Sequence, residues 1–253
     1  MQALKVENLV RDFGGVRATN NVSFSMEEGE HVALIGPNGA GKTTLFNMLG
    51  GQLPASSGRM FFYGRDITRM PAHQRAHLGI ARSFQVTTLF HELTVLDNML
   101  LAIQGKLPSR FQMFHSTSAY KHLYAKAQSL LEPINLWEKK DELISAIAYG
   151  EQRKLEMALS LAAGPKLLLL DEPSCGLTAA ESADIINQVN NLASDISVII
   201  VAHDLDLVFG VAKRIIVLYY GEIISEGTVE QIRSDPKVAE IYMGDEETAE
   251  ENA

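Results

Sequence analysis

With 253 residues, 46% of them apolar and 21% charged, the chain has the composition of a globular protein and the length of one large α/β domain or two small ones. Its net charge of −9, from 22 Lys and Arg against 31 Asp and Glu, excludes nucleic acid as the main partner, because binding a phosphate backbone needs a basic face. No apolar run approaches the roughly 18–20 residues that span a bilayer, so any membrane role must pass through a partner; the one cysteine, Cys175, forbids an internal disulfide and points to a reducing compartment.

The first ten residues alternate and carry Lys5 and Glu7, unlike a secretory signal, and residues 3–10 have the period of a half-buried strand. Residues 20–26 alternate again, Glu28-Gly29-Glu30 makes a turn, and 31–35 is an apolar strand. Another strand covers 59–63 and ends at Gly64. This part reads as an antiparallel sheet leading into a buried parallel strand. From about residue 88 to residue 161 the spacing is mostly helical, with Leu123, Ala127, Leu130 and Leu131 on one stripe; within it, 106–118 is irregular and contains Pro108. Residues 166–170 and 197–202 are continuous apolar runs joined by a helix over 180–192, as in a right-handed parallel βαβ sheet. A hairpin is expected over 214–225 around Tyr220-Gly221, and the acidic tail, 245–253, reads as disordered.

Gly36-Pro37-Asn38-Gly39-Ala40-Gly41-Lys42-Thr43-Thr44 follows the strand at 31–35 and opens a helix, the setting in which a G-x-x-x-x-G-K-[ST] run binds phosphate. The glycines let backbone N–H groups converge on phosphate oxygens, and the helix adds the positive end of its dipole. Lys42 supplies a mobile charge to the β- and γ-phosphates, and the Thr43 hydroxyl is a ligand for Mg²⁺. The loop by itself fixes neither the nucleotide nor the reaction.

Leu167 to Leu170 run into Asp171 and Glu172. At the C-terminal end of a parallel strand, Asp171 is placed to hold Mg²⁺, directly or through water, and Glu172 to act as general base on an attacking water. The plainer alternative is a capping Asp and a solvated Glu before Pro173. His203, just past the strand at 197–202, would point at the same crevice and donate to a γ-phosphate; its plainer alternative is a surface residue.

Ile147-Ala148-Tyr149-Gly150-Glu151-Gln152-Arg153 resembles the signature motif of ABC ATPases, usually written LSGGQ. Gln85 stands at the Q-loop position, and Ser174-Cys175-Gly176-Leu177-Thr178 at the D-loop position. Order and spacing agree over residues 3–243. Within that family, Ala81-Arg82-Ser83-Phe84-Gln85, the Tyr149-Gly150-Glu151-Gln152-Arg153 signature and the stretch from Pro236 to Gly244 resemble the larger ATPase of branched-chain amino acid uptake systems, and related urea and amide importers share them.

The resemblance implies an α/β fold: a P-loop ATPase core with a mainly parallel sheet, an N-terminal antiparallel β-subdomain and an inserted helical subdomain. It implies an ATP-binding domain over 1–244, with the helical subdomain at about 88–161. Phe13 would stack on adenine, the alternative being a core Phe at a strand end; Gln85 would touch Mg²⁺ and the water. Tyr149, Gly150 and Glu151 would face the γ-phosphate of ATP held by a second ATPase subunit, a copy of this chain or a paralogue. Further implied partners are membrane permease subunits and, indirectly, an extracytoplasmic substrate-binding protein, with the chain peripheral on the cytoplasmic face. Phe84, Leu89, Phe90, Phe111 and Phe114 are candidates for the docking surface, or core. ATPases of urea, amide or lipid-exporting systems share every catalytic residue named here, and a nucleotide-binding regulator without turnover is the non-enzymatic alternative. Ala148 replaces the usual signature Ser, and Thr178 the usual D-loop Asp.

Overall fold

The computed structural model describes residues 1–83, 89–105 and 117–241. In chain order they form β1 (Gln2–Phe13), β2 (Val16–Glu27), β3 (His31–Ile35), α1 (Lys42–Gly50), β4 (Ser57–Phe62), β5 (Arg65–Asp66), α2 (Ala72–Leu78), β6 (Ile80–Arg82), α3 (Val95–Gln104), α4 (Thr117–Leu131), α5 (Tyr149–Ala162), β7 (Leu167–Asp171), α6 (Ala179–Asn190), β8 (Ser197–Val201), α7 (Leu205–Val211), β9 (Arg214–Tyr219), β10 (Glu222–Gly227) and α8 (Val229–Arg233). Short 3₁₀ turns lie at Glu132–Ile134 and Ile144–Ala146. None of the described helices is long and apolar enough to cross a membrane. The chain divides into two compact units, one of residues 1–75 and 193–253, the other of residues 76–192.

The first unit holds an antiparallel sheet in the order β2-β1-β4-β5. The alternation in β1 and β2 sets its register: Leu4 opposes Met26, Val6 opposes Phe24 and Leu9 opposes Val22, all on the buried side. Strands β10, β9, β3 and β8 lie side by side in that order. β3 is parallel to both β8 and β9, while β9 and β10 make the expected antiparallel hairpin. β3 and β8 are apolar because both faces are covered.

β3 feeds α1, whose far end is closed by an unusual residue. Arg75 is 1% exposed, and its guanidinium donates to the carbonyls of Met48 (2.6 Å), Leu49 (2.8 Å), Met70 (2.8 Å) and Thr68 (3.4 Å). The first two belong to the last turn of α1, where carbonyls have no partner within the helix. Burial lowers the Arg75 pKa to about 10.

The second unit pairs β6 with β7 in parallel, Arg82 opposite Leu169. Its helices pack around Val95, Met99, Leu123, Ala127, Leu131 and Leu155. The stripe expected on α4 is buried as read, with Leu130 at its margin. Asn98 is buried; its amide donates to the carbonyls of Phe90 and Thr94 and accepts from the Phe90 N–H, so it ties the preceding loop to α3. Sequence periodicity missed α2, β6, α7 and α8, each seven residues or fewer. The tail at 245–253, most of the irregular stretch at 106–118, and Phe84, Gln85, Phe111 and Phe114 lie outside the described residues.

Candidate active site

In the first unit, the loop after β3 is bent by glycines with φ of 148° (Gly36), 78° (Gly39) and 100° (Gly41). At Gly41 a Cβ would lie 2.3 Å from the Ala18 carbonyl oxygen, so a side chain is excluded by contact as well as by conformation. Gly41 is the N-cap of α1; no side chain caps that helix, and no acidic residue stands in its first turn. The first N–H groups of a helix have no acceptor within it, and such an end attracts an anion. Lys42 is buried, and its ammonium donates to the carbonyls of Gly36 (2.6 Å) and Pro37 (2.8 Å), arching over the loop. Pro37 and Ala40 are buried, Asn38, Gly39 and Thr43 are exposed, and Thr44 is half-buried. The Gly221 N–H donates to the Ala40 carbonyl, anchoring the loop on the β9–β10 turn.

β8 runs parallel to β3, with Leu34 opposite Val201. His203 leaves the same sheet end as the loop, two residues beyond β8, and is exposed. The Asp204 carboxylate caps α7 by accepting from the N–H groups of Asp206 and Leu207, which fixes the chain next to it. Phe13 closes β1 beside the turn into β2; the residue is 46% exposed, so it is not a core residue, and the Arg11 guanidinium lies 4.6 Å from its ring centroid.

In the second unit, β7 ends at Asp171, whose side chain is 2% exposed. The Arg82 guanidinium donates to Asp171 Oδ2 at 2.8 Å. Ser83 Oγ accepts from the Asp171 N–H (3.3 Å), and the Ser83 N–H donates to the Leu169 carbonyl (2.8 Å). Glu172 follows with φ 48°, a left-handed conformation uncommon outside glycine and asparagine and found where structure overrides local preference. It is half-buried.

α5 begins at Tyr149. Alanine offers no acceptor at the N-cap, so only the reverse half of a capping box forms: the Glu151 carboxylate accepts from the Ala148 N–H at 3.0 Å. Glu151 also pairs with Lys139 at 2.8 Å. Burial works against its ionised form, but the Lys139 and Ala148 hydrogen bonds outweigh it and hold the carboxyl below the usual range. Tyr149 OH donates to the Cys175 carbonyl (3.3 Å) and accepts from Arg153 Nε (2.9 Å), while a Cβ on Gly176, φ 78°, would sit 3.2 Å from the Tyr149 ring. Thr178 is the N-cap of α6 in a full capping box with Glu181, so the residue replacing the usual Asp has a structural use.

Thus the structure brings the phosphate loop and His203 to one sheet end in the first unit; in the second, Asp171 and Glu172 stand at the end of β7 and the α5 N-terminus meets the 174–178 loop that follows them. Gln85 lies outside the described residues. Sequence reasoning gave no role to Arg82 and Ser83. Their signal was present in the Ala81-Arg82-Ser83 stretch, but β6 is three residues long and has no readable period.

Residues 19–175 match the family described as ABC transporter, and residues 222–248 the one described as branched-chain amino acid ATP-binding cassette transporter. The chain is 37% identical to the high-affinity branched-chain amino acid transport ATP-binding protein LivG of Salmonella typhimurium, over 96% of this chain and 98% of that protein. It is 36% identical to the corresponding protein BraF of Pseudomonas aeruginosa, with the same coverage. Among solved structures, a nucleotide-free ATP-binding cassette from an ABC transporter superposes with a TM-score of 0.82 at 33% identity, covering 96% of this chain and 99% of that one. The ADP conformation of such a cassette gives 0.83 at 33% identity with the same coverage. The shared fold is that of a P-loop ATPase with an antiparallel N-terminal sheet. By sequence along nearly its whole length and by fold, the chain belongs to the ATP-binding cassette family of ABC transporters, in its branched-chain amino acid branch.

Proposed function

We propose that this chain is the ATP-hydrolysing subunit of a membrane importer for branched-chain or related amino acids. The observation that carries the ATPase reading is the uncapped N-terminus of α1 beneath the glycine loop, with Lys42 arched over it and His203 leaving the same sheet end. The amino acid reading rests on the likeness to LivG and BraF.

In this reading the 36–44 loop binds the phosphates of ATP through its N–H groups and Lys42, and Phe13 offers adenine a flat apolar face. Glu172 accepts a proton from a water that attacks the γ-phosphorus; the bond to the β-phosphate oxygen breaks, giving ADP and phosphate. His203 donates to a γ-phosphate oxygen, and Gln85 orients the water. The Thr43 hydroxyl, on an exposed residue, and the Asp171 carboxylate are hard oxygen donors of the kind Mg²⁺ prefers. They would hold it with Gln85, and the ion would neutralise charge developing on the phosphates.

The α5 N-terminus at Tyr149-Gly150-Glu151 faces the γ-phosphate held by a second ATPase subunit, so ATP binding closes a two-fold dimer. Permease subunits seat in a groove of about 300 Å³ in the second unit, lined by Ser83, Phe90, Asn98, Leu101, Glu156 and Leu159. Phe90 and Leu101 are 59% and 45% exposed there, whereas Leu89 is buried and belongs to the core, not to the docking surface. The chain then works on the cytoplasmic face of the membrane, fed indirectly by an external substrate-binding protein.

The test is steady-state phosphate release with Mg-ATP by the parent and by Glu172→Gln, with size-exclusion profiles in ATP. The expected result is turnover by the parent and none by the variant, which accumulates as an ATP-bound dimer. Equal turnover by both would remove Glu172 as the base.

A further inference from the structure

Asp171 does not stand alone at the end of β7. One carboxylate oxygen is already engaged, by a guanidinium whose side chain is 13% exposed, while the Asp171 side chain is 2% exposed. The two come together because β6 and β7 are parallel neighbours with Arg82 opposite Leu169, so a long side chain from Arg82 reaches forward to the strand end. The next residue, Ser83, holds the backbone on both sides of Leu170, through the Asp171 N–H and the Leu169 carbonyl.

From this geometry we propose that Arg82 is a positioning residue that sets how tightly Asp171 holds its divalent cation. The inference rests on Asp171 being a metal ligand, as read above. Two effects of Arg82 act together. The short bond to Oδ2 fixes the carboxylate plane, and the guanidinium sets a positive charge beside a nearly buried carboxylate. The same charge subtracts from the field that a cation meets at Asp171, and in a site shielded from water this subtraction is large. The Ser83 bonds keep the backbone of the strand end in place when the guanidinium is removed; the carboxylate is then free to turn toward a cation, and the loss of the opposing charge dominates. Arg82 thereby weakens the metal's hold on the strand end, which suits an ion that must come and go with each nucleotide.

The experiment is binding, not turnover. Mn²⁺ is titrated into the full chain carrying one equivalent of a non-hydrolysable ATP analogue, and free Mn²⁺ is followed by EPR. Arg82→Met should lower the Mn²⁺ dissociation constant by roughly tenfold, and Arg82→Lys, which keeps the charge, should stay within about twofold of the parent. Affinity for the analogue in EDTA should not change in either variant. Arg82→Gln gives the same readout if the Met variant does not fold. A dissociation constant unchanged or raised in the folded Met or Gln variant overturns the role of Arg82 while leaving Asp171 as a ligand. If Asp171→Asn also binds Mn²⁺ as the parent does, Asp171 is not a ligand, and this proposal falls together with that assignment.

Discussion

Arg75→Met removes the guanidinium that closes the C-terminal end of the phosphate-loop helix while keeping a stem of similar length. Of the carbonyls it serves, that of Met48 still receives the Gly51 N–H at 3.2 Å. The Leu49 carbonyl loses its 2.8 Å donor at a buried site, and the Met70 carbonyl, on a half-buried residue, loses one of the same length. Each buried carbonyl left unsatisfied costs about 1–3 kcal/mol. Loss of a positive charge at a helix C-terminus adds roughly 0.3–1 kcal/mol. Against this, an apolar side chain relieves the desolvation that lowers the Arg75 pKa to about 10. The balance is a destabilisation of about 3 kcal/mol, or a drop in Tm of roughly 6–12 °C for a chain of this size. Urea unfolding followed by circular dichroism, with parent and variant at equal slope, measures it. Arg75→Lys, with a single ammonium unable to span all four acceptors, should fall between. A loss below about 1 kcal/mol for the Met variant would mean that water or backbone shifts satisfy those carbonyls, and the argument from buried acceptors would be refuted.

Two further variants test local geometry. Ala148→Ser restores a side-chain acceptor at the N-cap of α5, so the variant should be about 1 kcal/mol more stable in the same unfolding assay. It should also dimerise at lower ATP in the Glu172→Gln background, as a hydroxyl bonded to a charged phosphate contributes roughly 1.5–3 kcal/mol. His31 has its pKa lowered from 6.5 by burial and by the Lys213 charge, against an opposing hydrogen bond to the Val211 backbone. The unfolded chain therefore binds the proton more readily; the stability this represents is complete above about pH 6.5 and declines as pH falls toward the folded-state value. Between about pH 7.5 and 5.5, His31→Gln should lose less Tm than the parent, and equal losses would remove His31 as the cause.

What could be read from the sequence was whatever depends on local pattern. Residues 166–170 and 197–202 declare buried parallel strands because both faces are apolar, and β1 and β2 declare themselves by alternation. The phosphate loop is legible because its chemistry needs fixed residue types at fixed spacing. What escaped depends on contacts between distant residues. Arg75 has the composition of a surface residue, and only the end of α1, some 25 positions earlier, explains its burial. Arg82 acquires its partner through the register of β6 with β7, 89 positions away. Leu89 and Phe90 are adjacent and equally apolar, yet one is core and the other 59% exposed, a distinction made by packing alone. The left-handed backbone of Glu172 has no signature in the residue itself.

The contact between Tyr149 and the 174–178 loop has a bearing on how such chains diverge. The phenol lies over Gly176 so closely that a methyl group there would crowd it, and its hydroxyl is bound to the Cys175 carbonyl. Position 176 is thus doubly constrained, by that ring and by its own left-handed backbone, φ 78°. Glycine at 176 is required by its own backbone whatever stands at 149, so the constraint runs one way: the tyrosine can be exchanged without freeing the glycine. Across the branch, glycine at 176 should persist beside whatever residue stands at 149, and only the hydroxyl bond to the Cys175 carbonyl should come and go with the tyrosine.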